Sequence, residues 1–200
     1  MENATLQFII STAIMLFLIM DPLGNLPIFV SHLRHFTDAD YRRIVIRESL
    51  AALVILLIFL FFGNQILVLL HISTISLGIA GGIILFLIAL KMVFGTQANH
   101  ESSLTEPFLV PLAIPCFAGP STLAMLILVS GSPESTLSAC LSAVLLSWFL
   151  SSCILLTGRF WEKILGTKIL GAVESLMGFL LTVVAVEMLI NGLRAIFSGT

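Results

Sequence analysis

Long apolar stretches separated by short polar links dominate the hydrophobic pattern of the chain. Each of six stretches provides about the 20 residues that a helix needs to cross a bilayer. None shows the two-residue alternation of a membrane β-strand. The pattern therefore predicts an all-α polytopic membrane protein with six transmembrane helices, at residues 4–35, 44–70, 73–94, 107–129, 137–157 and 169–197.

Prolines interrupt the first and the fourth of these spans near their middle. Asp21 and Pro22 open a turn-forming stretch that ends at Pro27, and Pro115 and Pro120 repeat the same spacing in the fourth span. Proline lacks an N–H group and clashes with the carbonyl four residues earlier, so both helices should break. Non-helical backbone at membrane depth survives only when it is buried in protein or lines a cavity. The two breaks therefore predict a binding site.

Composition agrees with a single membrane domain whose surroundings are the lipid bilayer. Hydrophobic residues make up 58% of the chain and charged residues 10%, whereas soluble domains carry roughly a quarter charged residues. No basic run suggests a nucleic-acid partner. The three cysteines form no CxxC pair and no metal-ligand spacing, so we expect no cofactor and no metal. The first apolar stretch lacks the basic segment of a cleavable signal, and we expect it to be the first span.

Basic residues predict the orientation, because they concentrate in cytoplasmic links. The links after spans one, three and five, with the adjoining span ends, hold eight of the nine, and only Arg194 lies on the other side. This asymmetry predicts that both termini lie outside the cytoplasm. The eight are Arg34, Arg42, Arg43, Arg47, Lys91, Arg159, Lys163 and Lys168.

The two halves of the chain resemble each other. The offset between the two broken segments is 93 residues, that between Gly63 and Gly158 is 95, and residues 82–94 align without gaps on 178–190 at an offset of 96. Each half has three spans, an odd number, so the halves should have opposite orientations. This predicts an inverted repeat, about 1–98 and 104–200, which is a common architecture of secondary transporters.

Each break should expose a half-helix N-terminus, near Asn25–Leu26 and near 118–121. Free N–H groups and a partial positive charge at such ends favour a carboxylate, and the hydroxyls of Ser121 and Thr122 add donors. Free carbonyls near 18–21 and 111–114, together with the Asp21 carboxylate, favour an ammonium group or another cation. These groups match a small zwitterionic substrate. The alternative is that both breaks only kink helices for packing.

The predicted site residues follow from this arrangement. Glu187, deep in the sixth span, is either a proton carrier or part of a polar face near the outer end, and Asp21 is a second candidate for proton coupling. No catalytic constellation is present, so we expect no enzyme. The predicted substrate-binding residues are Asp21, Pro22, Gly24, Asn25, Pro115, Ala118, Gly119, Pro120, Ser121 and Thr122.

Three segments of the chain resemble the MarC family of small bacterial inner-membrane proteins. They are 21–29, 111–115 and 118–120, and the likeness extends over essentially the whole chain, although Gly119-Pro120-Ser121 replaces the Gly-Pro-Gly of many members. The resemblance implies discontinuous helices one and four, with an amino-acid site between them. It also implies transport of small neutral amino acids such as glycine and alanine across the inner membrane.

Two hypotheses follow. The first is a secondary transporter of small neutral amino acids, an exporter or an exchanger, in which one repeat moves against the other. The second is a non-transporting membrane assembly or regulatory subunit in which the breaks are purely structural. Both are compatible with an oligomer.

Overall fold

The structure, a computed structural model, describes residues 2–33, 35–94, 118–132 and 135–197. These ranges contain seven helices and no strand, which confirms the all-α prediction for the described part of the chain. The helices are α1 (Glu2–Met20), α2 (Pro22–His32), α3 (Asp38–Leu70), α4 (Thr74–Phe94), α5 (Pro120–Ser130), α6 (Leu137–Leu156) and α7 (Gly158–Phe197).

Five helical stretches in the described residues are long and apolar enough to cross a membrane. Helix α5, with eleven residues, is the second part of the predicted fourth span, and residues 107–117 of that span lie outside the described residues. Large apolar side chains such as Phe62, Leu176 and Phe179 are more than half exposed, as expected of surfaces that face lipid. The five stretches are Thr5–Pro27, Asp38–Leu70, Thr74–Phe94, Leu137–Leu156 and Lys168–Phe197.

Two of the long helices begin with the same kind of cap. The hydroxyl oxygen of Thr37 accepts a hydrogen bond from the Asp40 N–H at 3.2 Å at the start of α3. At the start of α6, the hydroxyl oxygen of Thr136 accepts from the Ala139 N–H at 3.3 Å. A threonine in this position satisfies one of the N–H groups that a helix leaves unpaired at its first turn.

The link predicted between the fifth and sixth spans is helical in the structure. Helix α7 begins at Gly158 and runs to Phe197, with a kink at Gly166, where φ is 70° and ψ is 166°. Glycine adopts this left-handed conformation without the penalty that a Cβ would impose. The sequence prediction placed a link here because of the charged residues, but Phe160, Trp161 and Ile164 supply enough apolar surface to sustain a helix at the membrane interface.

Helices α4 and α7 form the most extensive contact, and glycines allow their backbones to approach closely. A Cβ on Gly82 would lie 3.2 Å from the carbonyl oxygen of Ala185, and one on Gly178 would lie 2.9 Å from the carbonyl oxygen of Ala89. Small residues at such positions are typical of membrane helix pairs, because dispersion contacts rather than the hydrophobic effect hold these pairs together.

The short helices α2 and α5 pack against opposite parts of the chain. Helix α2 contacts α6 and α7, whereas α5 contacts α3 and α4. Each short helix therefore lies mainly against helices from the other half of the sequence.

The bundle has two chemically different ends. The terminal end is the one at which α1 begins and α7 finishes. At the opposite end, called the basic end, Asp38, Arg42, Arg159 and Lys163 line a cavity of about 460 Å³.

Arg159 joins the two halves of the chain at the basic end. Its guanidinium group forms an ion pair with Asp38 and donates hydrogen bonds to the carbonyl oxygens of Leu33, at 2.8 Å, and Phe36. The same group lies 5.0 Å from the centre of the Tyr41 ring, within the range of a cation–π contact. The end of α2, the start of α3 and the start of α7 are thereby held together.

Candidate functional site

The first helix break is confirmed, and it consists of one residue. Asp21 has a left-handed backbone, with φ of 43°, between the end of α1 and the start of α2. Helix α2 starts at Pro22, and not near Asn25–Leu26 as the sequence predicted. Pro22 fits the first helical position because its fixed φ suits the helix and its missing N–H would be unpaired there anyway. Pro27 lies inside α2 without ending it.

The Asp21 carboxylate caps the helix that follows it. Its Oδ1 atom accepts a hydrogen bond from the Gly24 N–H at 3.0 Å, the bond expected of an aspartate immediately before a helix. The side chain is only 3% exposed. Asp21 itself therefore occupies the anion-binding position that the sequence analysis reserved for a substrate carboxylate at this break.

The second oxygen of Asp21 has no partner in the part of the chain that the structure describes. Its Oδ2 atom is buried and accepts no hydrogen bond from the described residues. A Cβ on Gly24 would overlap this oxygen and the methyl group of Met92, so a larger residue at position 24 would have to displace both side chains. A buried acceptor without a donor is costly, most of all at membrane depth, and native proteins usually keep one for a functional reason.

Three of the four carbonyl groups that the sequence predicted to be free at the break, those of Leu18, Met20 and Asp21, are satisfied by the protein. The Leu18 carbonyl accepts from the Asp21 N–H at 3.1 Å, and the Asp21 carbonyl accepts from the Asn25 N–H at 3.0 Å. The Asn25 side-chain amide donates to the Met20 carbonyl at 3.0 Å. The attraction for a cation at this break therefore comes from Oδ2 of Asp21 and not from the backbone.

The second break is described from Ala118 onwards. Gly119 has extended backbone, with φ of −65° and ψ of 162°, and α5 starts at Pro120 with no side-chain cap. Ser121 and Thr122 are buried in the first turn of α5. A helix thus starts where the sequence predicted one, with no side-chain cap from the described residues. Pro115, predicted to belong to this site, lies outside the described residues.

The two breaks lie at different heights along α4. Gly24 packs against Met92, whereas the Ser121 backbone packs against Gly81. Eleven residues of helix separate Met92 from Gly81, a rise of roughly 16 Å. Both breaks border the same hydrophobic cluster, which includes Met20, Leu26 and Ala118. The sequence analysis placed one small zwitterion between the two helix N-termini, and the structure does not bring them to one level.

Glu187 lines a cavity of about 380 Å³ at the terminal end, between α1, α4, α5 and α7. Its Oε1 atom accepts a hydrogen bond from the Asn191 side-chain amide at 3.1 Å. Met125 and Met188 line the same cavity, whereas Asp21 does not. Glu187 therefore borders a cavity, and its two predicted roles, as a proton carrier or as part of a polar face near the outer end, stay predictions.

Sequence reasoning missed Met92 and Asn191, the side chains that contact Gly24 and Glu187. A signal was available for Met92, because Met92 and Met188 occupy equivalent positions in the two halves, 96 residues apart. Asn191 lies one helical turn after Glu187, a spacing at which side chains meet. In the described part of the chain, no three His, Cys, Asp or Glu side chains are grouped to hold a metal ion.

Comparison with known proteins agrees with the resemblance seen in the sequence. The chain is 48% identical over 193 residues to a UPF0056 membrane protein of Buchnera aphidicola, covering 96% of this chain and 98% of the relative. It is 45% identical over 194 residues to the UPF0056 inner membrane protein YhgN of Escherichia coli, with the same coverage. It is 32% identical over 199 residues to a UPF0056 membrane protein of Methanocaldococcus jannaschii, covering 94% and 97%.

No solved structure matches the chain. Residues 6–197 match the family described as MarC family integral membrane proteins. The chain therefore belongs to the MarC family of integral membrane proteins.

Proposed function

We propose that this protein is a secondary transporter of small neutral amino acids such as glycine and alanine. The observation that carries the proposal is the Oδ2 atom of Asp21, which is buried at a helix break within a membrane span and has no hydrogen-bond partner among the described residues. An ammonium group bound there would supply the missing donor and neutralise the carboxylate. A proton would do the same, so Asp21 serves either as the substrate-ammonium partner or as the carrier of a coupling proton.

Reciprocal contacts support an inverted repeat of two three-span units, 1–98 and 104–200. Gly82 packs on Ala185, and Gly178 packs on Ala89, which is the same pair of positions exchanged between the halves. The packing of α2 on α6 and α7 likewise corresponds to that of α5 on α3 and α4. Transporters built this way alternate access by moving one repeat against the other.

The proposed location is the bacterial inner membrane, with both termini outside the cytoplasm. The name of the Escherichia coli relative supports the membrane, and the distribution of basic residues supports the orientation. Reporter tags fused at residues 1 and 200 should both report the outer side. A cytoplasmic signal from either tag would contradict the orientation and, with it, the odd number of spans in each half.

A second function is supported by the capping role of Asp21. A carboxylate that caps its own helix, with neighbouring carbonyls already satisfied, is also what a purely structural break requires. Under this alternative the protein is a non-transporting membrane assembly or regulatory subunit. In either function we propose no enzymatic activity, no cofactor and no nucleic-acid partner, and an oligomer is compatible with both.

Counterflow in proteoliposomes separates the two functions. Vesicles loaded with unlabelled glycine or alanine should accumulate the labelled amino acid when they contain the parent protein. Asp21→Asn keeps the shape and the helix cap but removes the charge, so apparent affinity should fall roughly ten- to a hundred-fold if Asp21 binds the substrate ammonium. If Asp21 instead carries a coupling proton, proton-driven accumulation should be lost while exchange persists.

Asp40→Asn is the matched control, because Asp40 is an acid of the α3 first turn and lies away from both breaks. This variant should transport like the parent. Folded parent protein that exchanges none of a panel of small neutral amino acids would overturn the transporter proposal in favour of the non-transporting subunit.

A further inference from the structure

The terminal-end cavity combines one carboxylate with an otherwise uncharged, largely apolar wall. Its volume of about 380 Å³ lies in the range of small-molecule sites. Among the described residues that line it, Glu187 is the only charged one, and Phe8, Met15, Met125 and Leu128 supply apolar surface. A molecule that fits these walls has an apolar body and one positive group.

The Glu187 carboxylate is only half satisfied by the protein. Asn191 donates to Oε1 at 3.1 Å, and Oε2 has no hydrogen-bond partner in the described residues. The Asn191 bond also orients the carboxylate, since both side chains project from the same face of α7 one turn apart. One oriented oxygen is therefore available to a donor in the cavity.

Glu187 lies further from the terminal end than the residue at which α4 begins. Gly82 contacts Ala185 and Leu189, the residues two positions on either side of Glu187. Eight residues separate Gly82 from Thr74, where α4 begins, so Glu187 lies roughly 12 Å further into the bundle than the helix end. A carboxylate at such depth in a membrane helix is costly without a cationic partner.

We propose that this cavity is a second substrate site, which binds an aliphatic molecule bearing a primary ammonium group, with Glu187 as the partner of that group. The choice of an aliphatic α-amino acid as the preferred ligand rests on the proposed function. The groups that the cavity would recognise are the ammonium group and the aliphatic side chain of the ligand. An aliphatic monoamine shares that chemistry. The cavity is larger than glycine or alanine needs, since it could hold roughly a dozen water molecules at about 30 Å³ each, so a ligand of leucine size fits it better.

The position of Met188 connects this site with the second helix break. The Met188 methyl group lies 3.4 Å, and the Ser121 Cα 3.6 Å, from the same point, where a Cβ would stand on Gly81. Met188, which lines the cavity, therefore also lies close to the first turn of α5.

Three ligands that share the leucine side chain test which charged group is recognised. They are L-leucine, 3-methylbutylamine, which lacks the carboxylate, and 4-methylpentanoate, which lacks the ammonium group. Binding to the purified full chain in detergent is measured by ligand-induced thermal stabilisation and by equilibrium dialysis. Leucine and the amine should bind, and the carboxylate, which lacks the ammonium group, should not. Failure of the amine to bind, or equal binding of 4-methylpentanoate and leucine, would overturn the proposal.

Glu187→Gln tests the residue. The substitution keeps the size of the side chain and a hydrogen-bond acceptor, and binding of leucine and of the amine should weaken roughly ten- to a hundred-fold. Glu162→Gln, at the start of α7 and remote from this cavity, is the matched control and should bind within about twofold of the parent. Unchanged binding in Glu187→Gln would mean that leucine and the amine bind elsewhere in the protein, and it would exclude the proposed site.

Ser11→Trp provides a test that does not involve the charge. Ser11 is exposed and lines the cavity, so an indole there should fill the space and abolish leucine binding. A Ser11→Trp variant that folds and binds leucine like the parent would also exclude the site.

Separate measurements of transport and of leucine binding distinguish this proposal from the proposed transporter function. Leucine binding that depends on Glu187, without counterflow of any amino acid, would support this site and contradict the transporter function. Glycine counterflow without Glu187-dependent binding would contradict this site and leave the proposed function standing.

Discussion

The two ends of the bundle carry cavities of similar size but opposite electrostatic character. At the basic end, Asp38 and Arg159 pair with each other, and the remaining donors of Arg159 bind backbone carbonyls. At the terminal end, Glu187 has one bond to Asn191, and no cation in the described residues pairs with it. The charges of Asp38 and Arg159 are therefore satisfied by each other at one end, whereas the Glu187 carboxylate has no cationic partner in the described residues at the other.

This difference suggests different roles for the two ends. A guanidinium that binds a carboxylate and two carbonyls fixes three chain segments relative to one another, because each bond has a defined direction. A half-satisfied carboxylate in an apolar cavity gains most when a cation arrives. We infer that the basic end fixes the packing of the helices, whereas the terminal end receives a ligand.

Part of the difference is visible where the two halves of the repeat are compared. Gly63 and Gly158 are equivalent by their offset of 95 residues, and Gly63 contacts Ile127 of α5, whereas Gly158 contacts Tyr41 of α3 and Val30 of α2. The residue after Gly158 is Arg159, which is largely buried, whereas the residue after Gly63 is Asn64, which is exposed. The cross-linking cation is therefore present after only one of the two glycines.

Removing Arg159 should have the largest effect on stability. Its side chain is 20% exposed, and Arg159→Leu leaves the carbonyls of Leu33 and Phe36 without their charged donor. Hydrogen bonds to charged groups are worth about 1.5–3 kcal/mol each, so we expect the free energy of unfolding to fall by about 3 kcal/mol. Thermal or denaturant unfolding in detergent measures this loss.

Lys163→Leu is the matched control for Arg159→Leu, since it removes a cation from the same cavity of the basic end. Lys163 is exposed, and a surface substitution of this kind should change stability by less than about 0.5 kcal/mol. Equal losses in the two variants would contradict the role assigned to Arg159 and remove the contrast between the ends.

The contact between α4 and α7 should be equally important to both ends, and Gly178→Ala tests it. The added Cβ would lie 2.7 Å from the Cβ of Met92 and 2.9 Å from the Ala89 carbonyl oxygen, a backbone atom that cannot rotate away. Overpacking of this kind costs about 1–3 kcal/mol, so we expect the free energy of unfolding to fall by about 2 kcal/mol.

Gly171→Ala, on the same helix, is the control for Gly178→Ala. No atom lies within 4 Å of the position of its Cβ, so the higher helix propensity of alanine should raise stability by about 0.5–1 kcal/mol. The two glycines thus predict changes of opposite sign. A loss of stability in Gly171→Ala as large as in Gly178→Ala would show that the α4–α7 contact is not the cause.

The helical architecture could be predicted from sequence because it depends on periodicity and length. The break at Asp21 was predictable from residue type, since an acid followed by proline suits a helix N-terminus. The start of α2 was misplaced because the prediction gave Pro27 the same weight as Pro22. A proline in the first turn specifies where a helix starts, whereas one inside a helix removes one hydrogen bond, a loss that surrounding packing can offset.

The candidate sites were less predictable, because they depend on contacts between distant residues. Oδ2 of Asp21 lies beside Gly24 and Met92, a contact that the sequence does not indicate. Glu187 could be recognised as an acid within a membrane span, but its cavity requires the positions of four helices. Arg159 was counted only as one of eight basic residues, since its bonds to Leu33 and Phe36 span more than 120 positions.

The smallest expected change in stability comes from removing the helix caps. The caps are a feature that the two ends share, so they test the similarity of the ends. Thr37 caps α3 at the basic end, and Thr136 caps α6 at the terminal end, with nearly equal bond lengths of 3.2 Å and 3.3 Å. Thr37→Ala and Thr136→Ala should each lower the free energy of unfolding by about 1 kcal/mol. Because the two caps share no partners, the double variant should lose about the sum of the two. Unfolding of the two single variants and the double variant measures both quantities. A much larger loss for Thr37→Ala would mean that the cap and the neighbouring Arg159 contacts act as one unit, and that the ends differ in more than their charges.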